Sequence, residues 1–238
     1  MLDLSLILPV QNQAEIITPV YQQIYTAVNH LHIKYECLMV ENGSADQTLK
    51  ELRRIAKQYP NTKVLTAPKG YGSAVLAGLS RSRGKYVCYM PSDGQIDLAT
   101  LPKLWQHILS GKWEMIKIRR ATRETFVRTL LSWIFSALVK ILFQTGNIDV
   151  NGSPRIFLRR WLPLLNLQYQ DSFIDTEFAV KAHMLGWRIK EIPMVTLPRA
   201  GGKSSRSWHT FTEFFRNLYK FKTGTELQNW HNQCPKKF

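Results

Sequence analysis

The chain has 238 residues, 45% of them apolar and 21% charged, with a formal net charge of +15. That length supports one large domain, or a domain with an appendage, and that apolar share excludes a wholly disordered chain. Cys37, Cys88 and Cys234 form no CxxC pair and read as buried thiols in a reducing compartment, not as a disulfide or zinc framework.

The first ten residues, MLDLSLILPV, have no basic leader and read as a first strand over 4–8, closed by Pro9. Residues 14–31 carry Ile17, Val20, Tyr21, Ile24, Val28 and Leu31 at helical spacing. A second strand over 35–40 ends in Glu41-Asn42-Gly43-Ser44. Residues 45–59 form an amphipathic helix with Leu49, Leu52, Ile55 and Ala56 on one face. A short strand over 63–67, a Gly-rich loop over 68–72 and a small-residue helix over 72–82 follow. Residues 85–90 then give an unbroken apolar strand, YVCYM after Lys85, that stops at Pro91.

Beyond that point the pattern predicts a helix over 98–109, a strand over 115–118 and a helix over 124–143. This helix contains LLSWIFSALVKILF, too short an apolar run to span a bilayer, which needs about 18 residues or more. It suits either a buried core helix or one lying in a membrane interface, with Trp133 and Phe135 inserted and Arg128 and Lys140 at the headgroups. A strand over 150–157, a short apolar piece over 161–167, a helix over 175–185 and a strand over 187–195 come next. The tail, WHTFTEFFRNLYKF over 208–221, is aromatic and basic and is open to the same two readings. With no leader and no spanning run, the chain is expected in the cytoplasm.

Repeated strand–helix units imply an α/β fold with a mainly parallel sheet and helices on both faces. In such sheets the carboxyl ends of the strands line the ligand crevice. Those ends are 9–13, 41–46, 68–72 and 91–97, all polar or turn-forming, which points to one shared site. In the last of them Asp93 and Gln95 stand one residue apart, so both oxygens can face one ion or one diphosphate; the alternative is a plain polar turn. The positive charge is not evenly spread. Residues 112–160 and 199–238 carry 13 of the 15 excess charges, which suggests an anionic partner: a phosphate-bearing ligand, an acidic membrane surface or nucleic acid. Nucleic acid is disfavoured, because the basic residues interleave with long aliphatic runs and no recognition motif accompanies them.

The order of these motifs resembles the family 2 glycosyltransferases of GT-A fold, in particular the polyprenol-phosphate sugar transferases such as dolichol-phosphate mannosyltransferase. The resemblance runs from about residue 4 to about residue 205, leaving 206–238 as a basic, aromatic interfacial tail. Pro9-Val10-Gln11-Asn12-Gln13 stands where the family has Pro-x-Tyr-Asn-Glu. Glu41-Asn42-Gly43-Ser44-Ala45-Asp46-Gln47-Thr48 stands where it has Asp-Asp-Gly-Ser-x-Asp-x-Thr. Lys69-Gly70-Tyr71-Gly72-Ser73-Ala74 matches its basic-Gly-x-Gly-x-Ala turn, in which glycines let the backbone approach the nucleotide. Asp93-Gly94-Gln95 matches its Asp-x-Asp-Gly-Gln metal motif, with Pro91 in place of the first Asp.

The resemblance implies that Pro9, Asn12, Glu41, Asn42, Ser44, Lys69 and Asp93 bind the nucleotide. It further implies that Asp93 and Gln95 hold Mg²⁺ or Mn²⁺ against the sugar-nucleotide diphosphate. Asp93, Gln95 and Arg199 are the expected catalytic set. Ile118-Arg119-Arg120, the Arg128/Ser132 pair, and Arg199 with Gly202-Lys203-Ser204 correspond to the family's acceptor-phosphate segments. Arg119, Arg128, Ser132, Arg199 and Lys203 are therefore expected around that phosphate, within the charge-rich segments. Asp175 and Glu177, opening a helix that leads to Gly186-Trp187-Arg188, are the candidate bases should the acceptor be a hydroxyl.

The implied activity is inverting transfer of a hexose from a nucleotide diphosphate sugar to a polyprenyl monophosphate at the cytoplasmic membrane face. The partners would be the nucleotide sugar, the polyprenyl phosphate lipid and the membrane surface. The competing expectations are a family 2 transferase acting on a glycan or glycolipid hydroxyl, and a nucleotide-sugar-binding homologue that has lost catalysis.

Overall fold

A computed structural model describes residues 1–120, 126–146, 149–201 and 208–234, without the side chains of 126–128 and 208–211. Strand β1, Leu4–Val10, is buried along its whole length. Its apolar residues point alternately to two layers. Leu4, Leu6, Leu8 and Val10 belong to one core cluster and Ile7 to another. A strand covered on both faces has to be apolar at nearly every position, which is the pattern the sequence carries.

Helix α1, Ile17–Asn29, connects β1 to β2, Tyr35–Glu41; α2, Thr48–Gln58, leads to β3, Thr62–Thr66; and α3, Tyr71–Arg81, leads to β4, Tyr86–Tyr89. β1 pairs in parallel with both β2 and β4, and β2 in parallel with β3. Helices α1 and α2 cover one face through Ile17, Val20, Tyr21, Leu52 and Ile55. Helix α3 covers the other, and a Cβ at Gly78 would run into the side chain of Ile7. A small residue is required there for the helix to lie this close.

A 3₁₀ turn at Leu98–Thr100 opens α4, Leu101–Leu109, with Asp97 accepting from Ala99 N. Strand β5, Met115–Arg120, is followed by α5, Phe126–Phe143, and by β6, Arg155–Leu158. The short helix α6, Leu162–Leu165, is followed by α7, Ile174–Met184, and β7, Ile189–Met194. Helices α8, Trp208–Thr223, and α9, Thr225–Gln233, close the chain.

The seven strands are ordered β3-β2-β1-β4-β6-β5-β7. β6 runs antiparallel to both its neighbours and sits between β4 and β5, while β5 and β7 pair in parallel. The expected mainly parallel α/β architecture is therefore present, with one antiparallel insertion. A third core cluster joins α5, α7, α8 and α9 through Phe135, Val139, Phe173, Phe214, Phe221 and Trp230. One side of α5 and one side of α8 are thus core, which is the buried reading of each helix; Phe135, expected to insert into a membrane interface, instead packs inward against Phe214. Among the described residues no helix is long and apolar enough to cross a membrane.

Candidate functional site

The carboxyl ends of β1, β2 and β4 meet at one edge, and short polar contacts lock their loops together. Asn12, in the left-handed region at φ 50°, donates its backbone N–H to Ser44 Oγ at 3.0 Å and accepts from Ala45 N at 2.8 Å. Gln11 Nε2 donates to Asn42 O at 3.0 Å. Glu41 accepts from Ser44 N, which closes the turn after β2. Asp46 accepts from Ala14 N and from the amide and hydroxyl of Thr48. Desolvation pushes its carboxyl up, but those hydrogen bonds outweigh it and hold the group below the usual carboxylate range. Asn42 is buried at this edge, and its Oδ1 has no hydrogen-bond partner among the described residues. A buried amide oxygen left bare carries a desolvation cost, which a ligand N–H or hydroxyl would remove.

Strand β4 ends when Met90 N donates to Ile7 O, because Pro91 has no N–H to continue the ladder. Ser92 Oγ then lies 2.7 Å from Pro9 O and 2.8 Å from Gln13 Oε1, tying this loop to the turn after β1. Asp93 Oδ1 accepts from Gln95 N at 3.2 Å. Its Oδ2 lies 3.2 Å from Arg199 Nη2, and the same Nη2 is 3.4 Å from Gln95 Oε1. The segment carrying Arg199 is clasped to the loop by Ala200 N to Asp93 O (3.2 Å) and Leu197 N to Gln95 O (3.0 Å). Asp93, Gln95 and Arg199, 104 residues apart from Gln95 in sequence, thus form one polar group. On the far side of the edge Lys69 lies against Gly43: a Cβ on that glycine, at φ 79°, would be 3.0 Å from Lys69 Cβ.

Beneath the edge lies a buried network of charges. Arg155, fully buried on β6, donates to the carbonyls of Gly152, Val150 and Asp175 and lies 3.2 Å from Asp175 Oδ1. Tyr89 donates its hydroxyl to the same Asp175 oxygen at 3.0 Å. Burial works against the Arg155 charge, but Asp175, Tyr89, Tyr71 and Asp149 together outweigh it and hold the guanidinium above its usual value. Arg120 grips Asp149 with Nε and Nη2, both at 2.9 Å. Lys117 donates to Asp149 O and pairs with Glu191 at 3.0 Å. Desolvation and the nearby Arg155 pull the Lys117 ammonium down to about 8, against the opposing pull of Glu191 and Asp149.

The model of the glycosyl transferase family 2 domain matches residues 5–162, about two thirds of the chain. The chain belongs to that family. An uncharacterized glycosyltransferase of Mycobacterium tuberculosis is 28% identical over 207 residues, covering 85% of this chain and 89% of the relative. Bacillus subtilis CsbB, named as a glycosyltransferase, is 24% identical over 159 residues, 66% of this chain. The family 2 chain spans about half the length of that Bacillus protein, 48%. Its fold matches the crystal structure of M. tuberculosis glucosyl-3-phosphoglycerate synthase in complex with Mn²⁺, UDP and phosphoglyceric acid. The TM-score is 0.70 at 19% identity, over 99% of this chain and 80% of that one. Staphylococcus aureus TarS, residues 1–349, matches at a TM-score of 0.57 and 18% identity, over 82% of this chain and 59% of that one. The GT-A fold and membership of a transferase family are therefore established.

Of the residues singled out from the sequence, Pro9, Asn12, Glu41, Asn42, Ser44, Lys69, Asp93, Gln95 and Arg199 gather on this edge. Arg119, the last residue but one of β5, is half-buried, and so is Ser132 on α5. The side chain of Arg128, and Lys203 altogether, lie outside the described residues. Three expectations change. Glu177 is not placed as a base: it is buried and accepts from Gln168 N and Tyr169 N while pairing with Lys181 at 2.7 Å. Asp175 is likewise held under the edge by Arg155 and Tyr89.

The glycines of the Lys69–Ala74 turn admit protein backbone, not a nucleotide. A Cβ at Gly72 would lie 2.6 Å from Asp171 O, and Ser73 N donates to Gln170 O at 2.8 Å. Part of the positive charge concentrated in 112–160 is also internal, since Arg120 and Arg155 pair with the buried carboxylates of Asp149 and Asp175 and the buried Lys117 pairs with the half-buried Glu191. The sequence reading missed this network. Its signal was a cation inside an otherwise apolar strand, Lys117 in MIKI and Arg155 in RIFL.

Among the described residues no cluster of three or more His, Cys, Asp or Glu could hold a metal ion. The donors at the edge are one carboxylate, Asp93, and one amide oxygen, Gln95. That set suits Mg²⁺ or Mn²⁺ only in its usual phosphate-bound form, where substrate oxygens and waters fill most positions.

Proposed function

We propose that this chain transfers a hexose from a nucleotide diphosphate sugar to the phosphate of a polyprenyl monophosphate, at the cytoplasmic face of a membrane and with inversion. The observation that carries the reading is the Asp93–Gln95–Arg199 group set beside the bare Oδ1 of Asn42 on one sheet edge. Asn42, with Glu41, Asn12 and Ser44, would receive the nucleoside, and Pro9 would shape the turn beneath it. Asp93 and Gln95 would hold Mg²⁺ or Mn²⁺ together with the diphosphate; the metal, when bound, neutralises charge on the leaving group. Lys69 would face that diphosphate from the other side.

The acceptor phosphate has a second pKa near ~6 and is mostly dianionic at neutral pH, so it attacks without a dedicated base. Its requirement is positioning by cations, for which Arg199 and Arg119, with Arg128, Ser132 and Lys203, are the candidates. Arg199 already touches both Asp93 and Gln95, so one guanidinium can hold an acceptor phosphate within reach of the donor diphosphate. The sequestration of Glu177, and of Asp175 beneath Arg155, favours this reading over a hydroxyl acceptor, which would need an accessible base.

The test is transfer of labelled sugar into an organic-extractable product. It pairs the purified chain with a panel of UDP- and GDP-sugars, Mn²⁺ or Mg²⁺, and a short polyprenyl phosphate. Transfer that is lost in Asp93→Asn and in Arg199→Ala is the expected result. Nucleotide binding without transfer to any phosphate acceptor would overturn the assignment.

A further inference from the structure

Helices α5 and α8 each bury one side and leave the other in solvent. On α5 the exposed arc carries Leu130, Trp133, Ile134 and Ile141, at the i, i+3, i+4, i+11 spacing of one helical stripe. Trp133 is 68% exposed and Ile141 73%. On α8 the exposed arc carries Phe215 and Tyr219, the latter 71% exposed. The two helices pack side by side. The Phe215 ring lies 6.1 Å from that of the buried Phe135 of α5, and Lys222 Nζ donates to Leu142 O at 2.8 Å. Phe215, Tyr219 and Lys222 share one side of α8, so that side borders α5.

Singly exposed apolar residues are ordinary, but six on two neighbouring helices form a patch. Its rim is cationic. Lys140 flanks the stripe on α5, and Lys222, Arg216 and Lys220 stand exposed on α8. Among the described residues of the two helices no exposed acid interrupts it: α5 contains no Asp or Glu, and Glu213 of α8 is half-buried, with Asp171 as its neighbour.

We propose that the joined outer faces of α5 and α8 are a docking surface for a lipid bilayer bearing anionic headgroups. An exposed tryptophan, aliphatic side chains and a tyrosine, ringed by lysines, are the composition that an interfacial surface requires. A protein partner matched to an apolar patch would not need an unbroken cationic rim, whereas an anionic bilayer attracts each such cation. The placement also fits the site. Helix α5 begins six residues after Arg120, at the ligand edge of the sheet, so a docked bilayer would present phosphate headgroups beside that edge. The inference deepens the proposed function, because a membrane-embedded acceptor needs such a surface, but its geometry stands apart from the chemistry.

The experiment is flotation of the full chain with vesicles of phosphatidylcholine alone or mixed with phosphatidylglycerol, without nucleotide sugar. The wild type is expected to float with the anionic vesicles and weakly with the neutral ones. Trp133→Ser with Ile141→Ser should lower binding to both by roughly tenfold or more. Lys140→Glu with Lys222→Glu should lower only the anionic binding, by about fivefold per cation removed, and the loss should vanish in high salt. Lys50→Glu with Lys57→Glu, on exposed positions of α2, should bind like the wild type.

All four substituted positions of the patch are exposed, so folding is expected to survive, and circular dichroism checks it. Transfer to a water-soluble short-chain acceptor should stay unchanged in these variants, which separates failure of docking from failure of the proposed reaction. Absence of flotation by the wild type would overturn the inference. So would a wild-type dimer in solution that dissociates in Trp133→Ser, which would assign the face to a second copy of the chain.

Discussion

Replacing Arg155 by Met tests whether the charges under the site are structural. The guanidinium is fully buried between β4, β6 and α7, and stacks 5.4 Å from the Tyr89 ring centroid and 5.6 Å from that of Phe178. Methionine fills much of the same space but removes three donors to carbonyls and leaves the Asp175 carboxylate with the Tyr89 hydroxyl in place of the pair. Breaking a buried ion pair from one side costs about 3–5 kcal/mol. Carbonyls left bare add on the order of 1 kcal/mol each. The total, roughly 6–8 kcal/mol, rivals the whole stability of many domains, about 5–15 kcal/mol.

The assay is urea denaturation followed by far-ultraviolet circular dichroism on Arg155→Met, Asp175→Leu and the double variant. The double variant removes both charges together, so it should be more stable than the sum of the single losses predicts, by about 2 kcal/mol or more. Should Arg155→Met not fold, Arg155→Lys and Asp175→Asn supply a milder cycle, since lysine keeps the charge but cannot span three carbonyls. A loss under about 1 kcal/mol for Arg155→Met, or strictly additive single effects, would refute the claim that this pair holds β6 against α7.

Two further outcomes follow from local geometry. Gly72→Ala should destabilise by about 1–3 kcal/mol, because the new methyl meets the carbonyls of the 169–171 segment. Gly146→Ala, with nothing within 4 Å of its Cβ, should be near neutral; thermal melts compare the two. Lys117 titrates near 8 when folded and near 10.5 when unfolded, so between those values the unfolded chain binds the extra proton. Its contribution to stability therefore rises with pH from about 8 upward and is a constant penalty below. The stability difference between wild type and Lys117→Met, measured by urea titration across that window, should shift in favour of the wild type as pH rises, and a flat difference would contradict the burial argument.

The first half of the fold was legible because its strands are buried on both faces and its helices on one, so burial prints directly as apolar runs and helical spacing. β1 through β4 fall within a residue or two of where those patterns place them. The second half was less so. Residues 150–157 suggested one strand, yet only Arg155–Leu158 forms it, antiparallel and slotted between β4 and β5. Direction and neighbour are set by tertiary pairing, and the local pattern carries neither. The expected strand also covered the Val150–Pro154 loop, where Gly152 packs directly on Ile118 O. Helix α9 was missed because its nine residues bury only Leu227 and Trp230, too few for a periodic signal.

The site divides in the same way. Residues that follow a strand end were readable, because a sheet of this kind delivers its ligand groups there. What the sequence could not show is which departures from the family pattern matter. Gln13 stands where an acid is usual, but the contact it makes, an acceptor for Ser92 Oγ, is one that a carboxylate would make equally well. Glu41 takes the Ser44 amide as a shorter Asp could. Asn42 keeps an acceptor oxygen bare at the edge. Three of the four changed acids therefore preserve the local function of the group they replace. Pro91 alone subtracts something, a carboxylate, and what remains opposite Asp93 and Gln95 is the guanidinium of Arg199. The charge balance immediately around Asp93 consequently rests on one acid and one arginine that touch each other. Under the proposed reaction, a diphosphate arriving with its metal would compete with Arg199 for Asp93, and the guanidinium so displaced would be free to hold the acceptor phosphate.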